Sequence, residues 1–154
     1  MAYVETFLLN EDDQLAHDAM SLIVTQVYGE LPQYLPASIQ RYIEDNSDPE
    51  DFTHLALLDD DQTLIGAASI CKTRQSKEIE VYTIAINPEL QGQGHGTAFL
   101  GYIAKLALAE GNDKLSLYCA DEAVQDGFYR KLGFTPLNED DPEELIIDAA
   151  ALSA

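Results

Sequence analysis

The chain has 154 residues, of which 46% are hydrophobic, so we expect one domain over residues 1–154 with a sizeable core. Its formal net charge is -20, from 28 acidic and 8 basic residues, and this balance argues against binding to nucleic acid or to an anionic membrane. There is no apolar run of the roughly 18 residues that span a bilayer and no signal-peptide pattern. Both cysteines lie in apolar, strand-like contexts, which favours free thiols, and together these features predict a cytoplasmic location.

Hydrophobic periodicity and turn residues divide the chain into predicted strands and helices. Gly29 is placed to end the first helix, and Asn87-Pro88 stops the central strand because proline cannot donate to a sheet ladder. The small residues Gly66-Ala67-Ala68 inside a strand indicate a close neighbour or a bulge. In chain order the predicted elements are strand 3–9, helix 13–28, helix 37–45, strand 53–58, strand 63–72, strand 79–86, helix 97–109, strand 115–119, helix 123–132, strand 134–137 and strand 144–148. The order β-α-α-β-β-β-α-β-α-β-β predicts an α/β (α+β) fold with a mixed, mostly antiparallel sheet and one parallel crossover.

A glycine-rich segment follows the central strand. Gly92, Gly94 and Gly96 alternate along the chain just before the helix predicted at 97–109. A strand, a glycine turn and a helix N-terminus direct several backbone N–H groups at one small volume, which suits an anion such as a phosphate. A Walker loop would need Lys-Ser or Lys-Thr after the last glycine, and a dinucleotide fingerprint would need a different glycine spacing, so neither motif is present.

Two motifs in this order resemble the GCN5-related N-acetyltransferase (GNAT) family. Gln91-x-x-Gly94-x-Gly96 after Asn-Pro is similar to the family's pyrophosphate loop, and residues 127–134, GFYRKLGF, are similar to its tyrosine helix and LGF ending. The resemblance, which covers residues 55–134, implies a twisted sheet that splays between its fourth and fifth strands, with acetyl-CoA in the gap. It also implies acetyl-CoA-dependent transfer to a primary amine, directly in a ternary complex. A non-catalytic acyl-CoA-binding or regulatory module on the same fold is the alternative.

The resemblance assigns residues to acetyl-CoA binding. Backbone groups of Ile84, Ala85 and Ile86 are expected to pair with the pantetheine arm, and the Ile86 N–H to polarise the acetyl carbonyl. The pyrophosphate contacts fall to Gln91, Gly92, Gln93, Gly94, His95, Gly96 and Thr97. Many members carry arginine or lysine in this loop and an asparagine after the fifth strand, where this chain has neutral residues and Ala-Asp-Glu at 120–122. We therefore expect modest or salt-dependent affinity for acetyl-CoA.

Two side chains are candidates for catalysis. A lysine-like amine, of pKa about 10.4, must lose a proton before it attacks, and Glu80 matches the general base of the histone-acetyltransferase branch. Glu78, on the same face of the strand, is the second choice, and a merely solvated or paired Glu80 stays open. Tyr129 matches the family tyrosine whose hydroxyl reaches the cofactor sulfur, where a phenol can protonate the departing thiolate. A purely structural tyrosine is the alternative.

The identity of the acceptor is left open. In the family the region between the first two helices borders the acceptor, so Tyr28, Glu30, Tyr34 and Tyr42 are candidate contacts, although packing accounts for the tyrosines equally well. The acidity serves either solubility or the attraction of a cationic acceptor. The histidines and cysteines lack metal-ligand spacing, so no metal is expected. The oligomeric state stays open, with a homodimer as one option.

Overall fold

The computed structural model describes residues 2–8, 13–29, 31–46, 48, 51–73 and 75–153. The strands are β1 (Tyr3–Phe7), β2 (Phe52–Leu58), β3 (Leu64–Lys72), β4 (Glu78–Ile86), β5 (Lys114–Tyr118), β6 (Thr135–Asn138) and β7 (Asp141–Asp148). The helices are α1 (Gln14–Gln26), α2 (Leu35–Asn46), α3 (His95–Ala109), α4 (Glu122–Val124), α5 (Arg130–Leu132) and α6 (Ala149–Leu152). The strands form one sheet in the order β1-β2-β3-β4-β5-β7-β6, in which β4 and β5 are parallel. The predicted mixed, mostly antiparallel sheet is confirmed.

Several predicted boundaries are corrected by the structure. The first strand ends at Phe7, while Leu9 and the predicted turn and helix-cap residues 10–12 lie outside the described residues. The second helix begins at Leu35, two residues early, because a proline is tolerated in a first helical turn. The last strand begins at Asp141 rather than Glu144, since Asn138 pairs with Asp141 across a tight hairpin. The alanine-rich tail forms α6.

The contacts divide the chain into two compact units, and the prediction of one domain over 1–154 stays a prediction. The first unit comprises residues 1–71 with 83–99, and the second comprises residues 72–82 with 100–154. In the first unit the apolar faces of α1 and α2 pack on β3 and the end of β4. The buried cluster consists of Ala19, Met20, Ile23, Val24, Ile39, Tyr42, Ile43, Ala67 and Ala85. Burial of this apolar surface is the main force that holds the two helices to the strands.

In the second unit β5 pairs with β4 on one side and with β7 on the other. Leu115 and Leu145, on β5 and β7, are fully buried. Gly101 on α3 allows a close approach of the C-terminal helix, since a Cβ there would lie 3.2 Å from the carbonyl oxygen of Leu152. No helix within the described ranges is long and apolar enough to cross a membrane.

Candidate active site

In the first unit the end of β4 is held tightly against β3. The Asn87 N–H donates to the Ile65 carbonyl at 2.7 Å where the two strands part. A Cβ on Gly66 would lie 2.9 Å from the Ala85 carbonyl oxygen and 2.8 Å from Cδ1 of Ile86, so only glycine fits there. The register of β2 and β3 also shifts beside Gly66, and both sequence expectations for this glycine are confirmed. The backbone of residues 84–86 is therefore fixed in place.

The loop after β4 exposes a helix N-terminus. Gly92 and Gly94 have φ angles of 80° and 84°, a region that favours glycine, and a Cβ on either would meet nothing within 4 Å. The helix α3 begins at His95, two residues earlier than predicted, and the Ala98 N–H bonds to the Gly94 carbonyl at 3.1 Å. The N–H groups of residues 95–97 thus have no intrahelical acceptor and carry the positive end of the helix dipole. This is the geometry that an anion needs.

Gln91 links this loop to the end of β4. Its Nε2 donates to the Ile86 carbonyl at 3.2 Å. The Asn87 side chain accepts from the Glu89 N–H at 3.1 Å and so caps the short 3-10 turn Pro88–Leu90 between them. Residues 91–94 are exposed to solvent. Loop and strand end are joined by side-chain hydrogen bonds, and the loop stays open to a ligand.

The second unit brings Glu78 and Glu80 to the point where β4 and β5 separate. Parallel pairing covers Glu78 with Lys114, Ile79 with Leu115, and Glu80 with Ser116, and it ends there although both strands continue. This is the splay expected between the fourth and fifth strands. Glu80 is half-buried at that point, and Glu78 is only 6% exposed. The carboxylate of Glu78 accepts a hydrogen bond from the Ser116 hydroxyl at 3.1 Å.

A cavity of about 240 Å³ opens beside these glutamates. Its described lining contains three carboxylates, from Glu78, Glu80 and Glu144, and neither lysine nor arginine. Ser116, Leu117, Tyr118, Leu137, Thr73 and Gln75 complete that lining. The described lining of the cavity is therefore acidic.

Tyr129 lies in a segment of the second unit whose helical geometry differs from the sequence prediction. The expected helix 123–132 is interrupted by a π-helical turn, Gln125–Tyr129, between α4 and α5. The Tyr129 ring packs edge-on against Phe134 and Phe128, with centroids 5.5 Å and 5.0 Å away. Burial raises the pKa of Tyr129 to about 12, so its hydroxyl keeps its proton at neutral pH.

The predicted acceptor contacts have different environments in the first unit. Tyr28 and Tyr34 are 53% and 56% exposed, so both are accessible to a ligand. Tyr42 is buried, and its hydroxyl lies 2.9 Å from Ser69 Oγ, so packing accounts for it. Glu30 lies outside the described residues. Ser116 and the buried Gln125 were not identified as site residues from the sequence, because neither polar side chain interrupts the apolar pattern of its strand or helix.

The histidine and cysteine side chains in the described part of the chain do not come together as a metal site. No group of three His, Cys, Asp or Glu side chains there could hold a metal ion. Cys71 and Cys119 are half-buried and form no disulfide. His54 is buried, and its ring lies 2.8 Å from both Ser69 Oγ and the Asn46 carbonyl oxygen.

Comparison with known proteins identifies one family and many similar structures. The model of the "Acetyltransferase (GNAT) family" matches residues 16–134, while no curated protein matches the chain. A GNAT-family structure from Desulfovibrio desulfuricans superposes with a TM-score of 0.71 at 16% identity, covering 97% of this chain and 99% of that one. The PaiA N-acetyltransferase from Thermoplasma acidophilum, in complex with coenzyme A, gives 0.67 at 19% identity over 96% and 98%. The AtaTR complex bound with AcCoA gives 0.66 at 17% identity over 98% and 95%. These likenesses show a shared fold.

Proposed function

Since this chain belongs to the acetyltransferase (GNAT) family, we propose that it transfers the acetyl group of acetyl-CoA directly to a primary amine in a ternary complex. The observation that carries the proposal is the exposed glycine loop that leads from a tightly held strand end to the N-terminus of α3. Two similar structures contain coenzyme A or acetyl-CoA. Acetyl-CoA supplies the thioester, and the residues of this chain bind it, orient it and move protons around it.

The loop of residues 91–97 would hold the pyrophosphate. Its N–H groups at the start of α3 provide donors and a partial positive charge. The backbone of Ile84, Ala85 and Ile86 would pair with the pantetheine arm, and the Ile86 N–H would polarise the acetyl carbonyl. The Gln91 side-chain amide donates a hydrogen bond to the Ile86 carbonyl at 3.2 Å, which keeps the loop close to that strand end. Since the loop has neither lysine nor arginine, binding should rest on backbone groups.

Glu80 would take the proton from the attacking amine. It is half-buried, lies where β4 and β5 part, and lines the acidic cavity. Glu78 is more deeply buried and already accepts a hydrogen bond from Ser116 at 3.1 Å. That bond occupies an oxygen of the Glu78 carboxylate, and the burial of Glu78 makes it less accessible to an acceptor than Glu80. Glu80 is therefore our first candidate.

Tyr129 would stabilise the leaving thiolate by donating a hydrogen bond. Its pKa of about 12 lies roughly 3.5 pH units above the reference value of about 8.5 for a thiol. Complete proton transfer from the phenol would thus cost about 5 kcal/mol. A retained hydrogen bond avoids this cost, and the thiolate is protonated by the buffer after coenzyme A has left the site, because its reference pKa of about 8.5 lies above neutral pH.

The acceptor would be a cationic amine. The cavity beside Glu80 has three carboxylates in its described lining, and a second ammonium group on the acceptor would be attracted by the two others, Glu78 and the exposed Glu144. A diamine such as cadaverine should therefore be a better substrate than a monoamine of equal length. Glu144→Gln should raise the KM for cadaverine by roughly fivefold, about 1 kcal/mol, and leave the KM for pentylamine unchanged.

The first experiment measures binding of the donor. Thermal unfolding is followed with acetyl-CoA, with free CoA and with ATP, at low and at moderate salt. At about 100 times Kd a ligand adds roughly 2.7 kcal/mol, which raises the Tm of a domain this size by about 5–11 °C. Stabilisation by both CoA compounds and not by ATP supports the proposal. If neither CoA compound shifts Tm at either salt, the chain has lost its donor site and the proposal fails.

The second experiment measures thiol release from acetyl-CoA with a panel of amines. Glu80→Gln should lower kcat by about 100-fold or more through loss of the general base, and Tyr129→Phe by about 100-fold through loss of a hydrogen bond to the developing thiolate charge. Glu5→Gln, which removes the same charge from an exposed position on β1, is the control and should leave kcat unchanged. Binding of acetyl-CoA without release of thiol for any amine would instead favour the non-catalytic acyl-CoA-binding module.

A further inference from the structure

The π-helical turn that carries Tyr129 decides where that side chain points. The Arg130 N–H bonds to the Gln125 carbonyl five residues back, so one extra residue is inserted into the turn. Each residue of an α-helix advances the side chain by about 100°. A regular α-helix over residues 122–132 would therefore present Tyr129 in another direction. Such turns are rare, and they are frequently found at functional sites.

The side chain of Gln125 anchors this turn to the sheet. Its Nε2 donates to the Cys119 carbonyl, and the residue is only 4% exposed. The Cys119 N–H in turn donates to the Glu143 carbonyl at 2.8 Å, just after the end of β5. Residue 119 is thereby fixed on both sides, by the sheet and by Gln125. The hydrogen bond from the Gln125 side chain to the Cys119 carbonyl therefore fixes the start of the π turn relative to the end of β5.

The remaining contacts of the segment hold its two ends. Asp121 caps its start, accepting from the Ala123 N–H at 2.9 Å, and Gly133 ends it with a φ angle of 111°. Arg130 pairs with Asp126 at 3.1 Å, but that pair is largely exposed and worth little. Among the described contacts the bond from Gln125 is the one side-chain hydrogen bond between the π turn and the residue that follows β5.

We propose that Gln125 is a positioning residue for acetyl transfer. By anchoring the π turn to the Cys119 carbonyl, Gln125 holds the Tyr129 hydroxyl beside the leaving thiolate. The inference rests on the proposed function, in which the Tyr129 hydroxyl donates to the leaving thiolate. Position 125 needs a neutral donor, because the Cys119 carbonyl can only accept. Without that donor the segment is free to relax to a regular helix, and the Tyr129 hydroxyl turns away.

The test compares Gln125→Met, which keeps the length but removes the donor, with Gln40→Met. Gln40 is an exposed glutamine on α2, bonded to Glu44 at 3.2 Å. Each protein is labelled with 3-fluorotyrosine, and the Tyr129 signal is assigned among the eight tyrosines through Tyr129→Phe. In Gln125→Met we expect the Tyr129 fluorine signal to shift or broaden and the other signals to stay. Gln40→Met should change none of them. An unchanged Tyr129 signal in folded Gln125→Met overturns the proposal.

Kinetics provide a second readout in the thiol-release assay. Gln125→Met should lower kcat by about 10- to 100-fold, as misplacement of a reacting group does, with the KM for acetyl-CoA within about twofold. The double variant Gln125→Met/Tyr129→Phe should be no slower than Tyr129→Phe alone. Additive losses would mean that Gln125 does not act through Tyr129, and the proposal would fail. If Tyr129→Phe itself is fully active, the proposed function of Tyr129 fails, and the fluorine test still decides whether Gln125 positions it.

Gln125→Glu keeps the proposal testable if Gln125→Met does not fold. A carboxylic acid donates to the Cys119 carbonyl when protonated, whereas the ionised form repels it. The Tyr129 fluorine signal of this variant should therefore approach the wild-type position as the pH falls and leave it as the pH rises. A signal that stays at the wild-type position throughout would overturn the proposal.

Discussion

Removing the hydroxyl of Tyr42 is expected to destabilise the first unit. This hydroxyl lies 2.9 Å from Ser69 Oγ and 3.0 Å from Thr83 Oγ1. Tyr42, Ser69 and Thr83 are 6%, 0% and 3% exposed, so water cannot replace a lost partner. In Tyr42→Phe the aromatic packing remains, and the change isolates the hydrogen bonds.

The protonation of His54 sets the direction of these bonds. Its Nε2 lies 2.8 Å from the Asn46 carbonyl, which only accepts, so Nε2 carries a hydrogen. Burial lowers the pKa of His54, so the ring is neutral and Nδ1 accepts from the Ser69 hydroxyl at 2.8 Å. Ser69 then accepts from Tyr42, and Tyr42 accepts from Thr83. The substitution Tyr42→Phe therefore leaves the Thr83 donor buried without its acceptor.

The expected loss follows from that orphaned donor. A buried polar group that loses its partner costs about 1–3 kcal/mol, so we expect a decrease of about 2 kcal/mol in the free energy of unfolding. In a domain of this size that lowers Tm by about 4–8 °C. Urea unfolding measures the change, with Tyr34→Phe, at an exposed tyrosine, as the control expected within about 0.5 kcal/mol of wild type. A Tyr42→Phe protein as stable as Tyr34→Phe would refute the reasoning.

Three further predictions concern pH and glycine. Folding lowers the pKa of His54, so below about pH 6.5 the unfolded chain binds a proton that the folded chain does not. The free energy of unfolding should therefore fall there by up to about 1.4 kcal/mol per pH unit. His54→Gln should flatten this slope in urea titrations between pH 6.5 and 5. Gly66→Ala forces a Cβ to within 2.9 Å of the Ala85 carbonyl oxygen, so it should lower the free energy of unfolding by about 1–3 kcal/mol. It should also weaken acetyl-CoA binding, measured by calorimetry, and unchanged binding would contradict a role for that strand end. Gly94→Ala strains a φ of 84° by about 1–2 kcal/mol and should weaken acetyl-CoA binding, whereas Gly111→Ala, with a φ of 87° and open space around it, should lose similar stability and keep its affinity.

Local sequence signals predicted the conformation of the glycine loop at residues 91–97 well. Glycines that adopt positive φ angles, Gly92 and Gly94, follow a strand stopped by proline, and a helix begins at once. Each of these features is set by neighbouring residues, because φ preferences and helix starts depend on a few adjacent side chains. The small residue Gly66 was likewise interpretable, since a glycine inside a strand signals close approach.

The surroundings of the candidate catalytic residues were not predictable in the same way. The helical pattern over 123–132 is apolar on one face whether or not it contains a π turn, so the sequence cannot distinguish the two. The turn depends on Gln125 meeting the Cys119 carbonyl. The acidic cavity likewise joins Glu78 and Glu80 to Glu144, which is more than sixty positions away along the chain.

By itself the sequence determined the order of strands and helices, the parallel crossover and the loop that suits a phosphate, because these follow from periodicity and backbone preference over short stretches. Tertiary structure alone decided that β7 lies between β5 and β6, that β4 and β5 part after Glu80 and Ser116, and that Tyr129 sits on a π turn. Those outcomes depend on which distant groups satisfy one another's hydrogen bonds and bury one another's surface, and no local pattern encodes that choice.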